Sequence, residues 1–242
     1  AMAPTRAEEN DVAVVNLMLP EGGLFAGEQT VEAVIANVGT ADHPGDEVSF
    51  YLNDALQGTA TTAAIPAGDK DTVAISLTIG AGSHVIAAEL PDDADATNNY
   101  MELTASFMPE GALFADFNDG MIVPEGWMAT SGEWTFTGWS AYEGDGAIYT
   151  MATDTLISPK VEIAEGDSVT FFAKNSAWSG GTMEVLISED GQTWDSVYAP
   201  EMTDVYQQFS YTFSAEDAGI KYLAFAQVTD VVYLDYIVGP RV

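Results

Sequence analysis

The sequence predicts an all-β fold in two domains. Short runs of β-branched and aromatic residues recur along the 242-residue chain, separated by Gly, Pro, Asn and Asp, and helical periodicity is hard to find. Hydrophobic residues make up 47% and charged residues 18%, with eleven Phe, ten Tyr and five Trp, so the chain has the apolar surface that a packed core needs. At this length each of two domains can bury a core of its own.

Residues 1–10 read as a flexible arm. Seven runs follow, at residues 11–19, 30–37, 47–52, 58–64, 71–79, 84–90 and 99–107. Several alternate, as in Val31, Ala33, Ile35 against Glu32, Val34, Ala36, or Val73, Ile75, Leu77 against Thr72, Ala74, Ser76, so one face of each is expected to be buried. Asn37-Val38-Gly39 and Ile65-Pro66-Ala67-Gly68-Asp69 carry turn chemistry. Seven strands over residues 11–107 suit an immunoglobulin-like sandwich. Four segments in order, Val34-Ile35-Ala36-Asn37-Val38-Gly39-Thr40-Ala41, Val48-Ser49-Phe50-Tyr51-Leu52-Asn53, Ile65-Pro66-Ala67-Gly68 and Asp95-Ala96-Thr97-Asn98-Asn99-Tyr100, resemble the CARDB domain of bacterial cell-adhesion proteins. The resemblance implies a spacer or adhesion module.

Pro109 and Gly111 interrupt the pattern, so residues 108–112 read as a linker and residues 113–242 as a second domain. Its ten runs lie at 113–117, 133–139, 147–151, 154–163, 168–174, 182–188, 194–198, 207–213, 221–228 and 231–238. That number suits a jelly-roll β-sandwich. Phe114-Ala115-Asp116-Phe117-Asn118-Asp119-Gly120, Val123-Pro124-Glu125-Gly126-Trp127, Asp154-Thr155-Leu156-Ile157-Ser158-Pro159, residues 185–194 and Tyr233-Leu234-Asp235-Tyr236-Ile237 together resemble the cleaved-adhesin and choice-of-anchor J jelly rolls of secreted Bacteroidetes proteins. Such domains include haemagglutinin regions attached to secreted proteases.

Charge excludes one class of partner. Six Lys and Arg against 38 Asp and Glu give a net charge of −32, which repels phosphate backbones and anionic lipid surfaces. Nucleic acid is therefore not an expected partner, and divalent cations are attracted, calcium first. The chain has no cysteine, so disulfides, thiolate metal sites and cysteine nucleophiles are absent. No run is long enough to span a membrane as a helix, and the first ten residues hold no signal-peptide core, so direct membrane insertion is not expected and an export signal would lie outside this sequence.

The jelly-roll resemblance implies a calcium ion tying the first strand to the last, with Asp116 and Asp235 as ligands and Asp119 or Asp145 as neighbours. Capping or solvated carboxylates are the alternative reading. Residues 92–99 look like a calcium loop and fail the test, because counting from Asp93 puts Asn98 where Gly is needed and Thr104 where a bidentate Glu is needed. Ser188-Glu189-Asp190-Gly191-Gln192-Thr193-Trp194 is similar to the Asp-box hairpin of sialidases with one residue missing, and occurs once; it reads as a hairpin whose Asp caps the turn. All five Trp lie in the second half, most of them expected in the core. Trp178 is the exception, set in a polar Gly-rich loop, and Trp139 with Tyr142 is a second candidate for ligand contact. His43 and His84 fall in the first domain with no Ser elbow beside them, so an enzyme is not expected.

The sequence thus points to an extracellular or cell-surface binding module for a glycan or an extracellular protein, or one that positions neighbouring domains of a longer chain. The alternative is a non-catalytic accessory fragment of a larger secreted protease or glycosidase.

Overall fold

The computed structural model describes residues 9–20 and 23–242, so most of the arm expected over residues 1–10 lies outside the described residues. Among those described there are eighteen strands and no helix. The chain divides into two compact units between Glu110 and Gly111.

The first unit holds seven strands: β1 (Val12–Met18), β2 (Gly27–Asn37), β3 (Glu47–Leu52), β4 (Ala55–Thr61), β5 (Lys70–Ile79), β6 (Gly82–Glu89) and β7 (Tyr100–Phe107). They form two antiparallel sheets, ordered β1-β2-β5 and β4-β3-β6-β7. Alternation decides which side chains meet: Val31, Ala33 and Ile35 of β2 turn inward with Val73 and Leu77 of β5, facing Val48, Phe50 and Ile86 of the other sheet. The turn after β2 is held by Asn37, whose Nδ2 donates to Ala41 O (2.9 Å) and Ile65 O (2.8 Å). Gly39 is required there, because a Cβ would stand 2.8 Å from both Asp11 N and Glu9 O. Met108 still belongs to this ladder, donating to Leu24 O and accepting from Ala26 N.

The second unit holds eleven strands: β8 (Ala112–Ala115), β9 (Met128–Ala129), β10 (Thr135–Thr137), β11 (Ala147–Thr150), β12 (Thr155–Ile163), β13 (Ser168–Asn175), β14 (Thr182–Ser188), β15 (Asp195–Tyr198), β16 (Gln207–Thr212), β17 (Gly219–Thr229) and β18 (Val232–Arg241). Pairing separates them into two layers. In one, β18 runs through the middle, with β13 and then β16 on one side and β11 followed by β8 on the other; β10 lies beyond β11. In the other the order is β9-β12-β17-β14-β15. A single pair, Glu162 with Arg241, joins the layers. Phe171, Phe225, Leu156, Ile148, Val185, Leu223 and the two rings of Trp127 and Trp134 fill the space between them.

Two features of this unit position the site. The ladder between β13 and β18 slips, so that Phe172 faces Asp235 while Thr170 faces Val238. Tyr236 sits in this bulge with φ 47°. A bulge of this kind re-aims the side chains on either side of it. Near the end of β8, Phe117 also adopts a left-handed φ of 57° and turns the chain away from the sheet.

Candidate functional site

Strand alternation that buries one face of the β11–β18–β13 layer leaves the other face to a continuous set of rings. Ile148, Leu234 and Ala173 point into the core, so their neighbours Tyr149, Tyr233 and Lys174 point out. Tyr149 lies directly opposite Tyr233, and Tyr233 directly opposite Lys174, which makes one rung across three strands. Tyr149 and Tyr233 stack at 5.4 Å between centroids. The Lys174 ammonium lies 4.7 Å from the Tyr233 centroid and 5.0 Å from that of Tyr206. Among the described residues no carboxylate is within ion-pair range of it.

The loop between β10 and β11 adds Trp139 and Tyr142. Trp139 is 77% exposed and packs edge-on against Tyr233 at 6.2 Å. Tyr142 stacks on Phe172 at 3.4 Å and meets Tyr206 at 6.1 Å. Beyond them Phe172, Tyr236 and Phe114 extend the row. Tyr206 is fixed by donating its hydroxyl to Ser140 O at 2.8 Å, and burial pushes that hydroxyl's pKa well up, with Asp235 and Tyr233 adding to the effect.

Asp235 holds this loop in place. It is fully buried; its Oδ2 accepts from Tyr142 N (2.8 Å) and Glu143 N (3.3 Å), and its Oδ1 from Tyr236 N (2.8 Å). Burial pushes the carboxyl up to about 6; the three N–H bonds pull the other way and the charge of Asp116 adds to the rise. Asp116, half-buried, accepts from the backbone N and side-chain Nδ2 of Asn118. Asn118 Oδ1 in turn accepts from Asp145 N (2.8 Å) and Gly146 N (3.1 Å). Gly146 sits where a Cβ would collide with Phe117 O and the Phe136 ring.

Of the residues expected as calcium ligands, then, Asp116 and Asp235 come together at the junction of β8 and β18, and Asp145 is tied to them through Asn118. Asp119 stands apart in an exposed turn, accepting from Met121 N at 2.8 Å. Calcium takes six to eight oxygen ligands. The groups that converge on Asp235 are N–H donors instead, and among the described residues no group of three or more Asp, Glu or His side chains is placed to hold a metal ion. As arranged, these carboxylates act as acceptors that anchor a loop.

Trp178 is 98% exposed, at the tip of a loop closed by the Ser176–Gly180 pair, and no ring contact joins it to the aromatic row. The hairpin at Asp190 behaves as a capped turn, its Oδ1 accepting from Gln192 N and Thr193 N, both at 2.8 Å. Both histidines lie in the first unit: His43 pairs with Asp46 at 2.8 Å, and His84 meets Asn53 at 2.9 Å. Of the side chains on this face the sequence singled out Trp139 and Tyr142, and not Tyr149, Phe172, Lys174, Tyr206, Tyr233 or Tyr236. The signal was present in the strands, where Tyr149 and Tyr233 each stand between buried neighbours at a position that alternation assigns to solvent.

Comparison with known proteins gives the following. Residues 9–103 match the family model of CARDB. No curated protein matches the chain in sequence. Among solved structures, the K3 cleaved adhesin domain of Lys-gingipain from Porphyromonas gingivalis is 15% identical, with 52% of this chain and 97% of that one covered and a TM-score of 0.42. A CARDB domain from Pyrococcus furiosus, in complex with di-metal ions, is 20% identical, covering 44% of this chain and 100% of its own, with a TM-score of 0.39. A xylan-binding domain from Paenibacillus barcinonensis is 19% identical over 54% and 94%, with a TM-score of 0.39.

Proposed function

We propose that this chain, whose residues 9–103 match CARDB, is a non-catalytic extracellular binding module that takes a glycan on the aromatic face of its second unit. The observation that supports the reading is the row Trp139, Tyr149, Tyr233, Tyr206 and Tyr142 laid across β11, β18 and β13, with Lys174 set among the rings. Sugar rings carry flat C–H faces that pack on aromatic rings and hydroxyls that need donors at their edges. The row offers the first, and the Lys174 ammonium offers the second. An exposed apolar surface of this extent is otherwise a liability on a protein kept in solution by its charge.

Trp178, standing free at its loop tip, is the further contact in this reading. In a longer secreted protein the same module would hold an attached protease or glycosidase domain at its substrate, while the first unit acts as spacer. A glycan array probed with the full chain tests the function. Binding to at least one glycan class, reduced by Trp139→Ala and reduced further by Tyr233→Ala, is the expected result. No binding, or binding indifferent to both substitutions, contradicts it.

A further inference from the structure

On the other layer of the second unit, a cavity of about 260 Å3 opens between the β14–β15 hairpin and β17. Lys221 lines it. This residue alternates inward with Leu223 and Phe225 and is only 8% exposed, yet its ammonium has one weak partner, Glu216 O at 3.5 Å. Among the described residues no carboxylate lies within ion-pair range of it. Its electrostatic neighbour is the Asp217 carboxylate, and most of its donor capacity is left unfilled by the protein, so an acceptor brought in by a ligand is favoured.

The rest of the lining divides into engaged and free groups. Ser188 Oγ donates to Asp190 Oδ1 and accepts from Gly191 N, and the same Asp190 oxygen takes two further N–H bonds, so these two residues build the wall. Among the described residues the Lys221 ammonium keeps only its weak bond to Glu216 O, and the Asp195 carboxylate and the Thr193 hydroxyl have no partner; Glu189 and the apolar wall of Ile187 complete the lining. The first three are a donor, an acceptor and a group able to be either.

We infer that this cavity is a second binding site, independent of the aromatic face, for one neutral sugar ring presenting two adjacent hydroxyls. One hydroxyl oxygen accepts from Lys221 while the neighbouring O–H donates to Asp195, and Thr193 serves whichever remains. The size suits one ring and not a chain, since about 260 Å3 falls just below the usual range of small-molecule pockets. A free anion is disfavoured, because Glu189, Asp190 and Asp195 line the cavity with Lys221 and the chain as a whole is strongly negative.

The test is amide chemical-shift mapping on the full chain with methyl pyranosides of glucose, galactose and mannose, and with sodium acetate as the anionic probe. At least one pyranoside should shift the amides of Gly191, Thr193 and Asp195 at millimolar concentration. Lys221→Met, which keeps the buried stem, and Thr193→Val, at an exposed position, should each weaken that response about tenfold or more. Tyr233→Ala should leave it unchanged, which separates failure here from failure of the glycan face. The inference is overturned if no pyranoside shifts these amides, if the response survives both substitutions, or if acetate binds as well as the sugars.

Discussion

Two buried aspartates show how opposite pKa shifts arise from the same loss of water. Asp154 accepts from Thr130 Oγ1, Ser131 N, Glu133 N, Trp134 N and Thr155 N. Burial alone would raise its pKa, but the bonds from Ser131, Thr130, Glu133 and Thr155 outweigh it and hold the carboxyl at about 2. A folded value below the unfolded one means a contribution that is complete above pH ~4 and lost as pH falls toward 2. Asp154→Asn turns one acceptor into a donor facing N–H groups, so it should destabilise the second unit by roughly 2–4 kcal/mol at neutral pH, read by urea denaturation. Asp235 has too few donors to offset its burial and rests at about 6. Between its unfolded value near 4 and that value the folded state binds the extra proton, so its contribution falls as pH rises through this window and is flat above it. The stability difference between the wild type and Asp235→Asn should therefore move in favour of the wild type on going from pH 7 to pH 4.5; a difference that does not change with pH contradicts the assignment.

Elements were legible where alternation is strict and obscure where loops lend residues to the sheet. The runs at 47–52 and 182–188 coincide with β3 and β14, and β17 and β18 extend the expected runs by a few residues at their ends. β4 begins at Ala55, before the expected 58, because Asn53 and Asp54 take left-handed φ values and close a tight hairpin after β3. The two-residue β9 escaped notice, since Met128–Ala129 has no period of its own and is a strand only because β12 lies beside it. The loop between β13 and β14 is fixed by Gly181, at φ 136°, where a Cβ would run into the carbonyl of Val231. Gly181→Ala should cost about 2 kcal/mol or more, seen as a fall of several degrees in the unfolding midpoint of the second unit.

At the scale of the whole molecule, charge was the plainest sequence signal and the aromatic face the least plain. With −32 on the chain and, among the described residues, no Lys or Arg within ion-pair range of a carboxylate, the carboxylates repel one another with little local compensation. Screening relieves this, so raising NaCl from 20 to 500 mM should raise the unfolding midpoint; an unchanged or lower midpoint would mean the repulsion is already balanced. The aromatic face stayed hidden because it is assembled from six separate stretches of chain, each contributing one or two rings, and the register of β11, β18 and β13 is what brings their centre together. Trp139 and Tyr142 could be singled out by residue type; Tyr233 could not, since nothing local says which strand lies opposite. The most direct measurement is a calorimetric titration of a glycan that binds the full chain against wild type and Tyr233→Ala. A loss of affinity of about tenfold or more, roughly 1.4 kcal/mol, with the unfolding midpoint of the second unit little changed, is predicted. Equal affinity in the two proteins would contradict the assignment of ligand binding to this face.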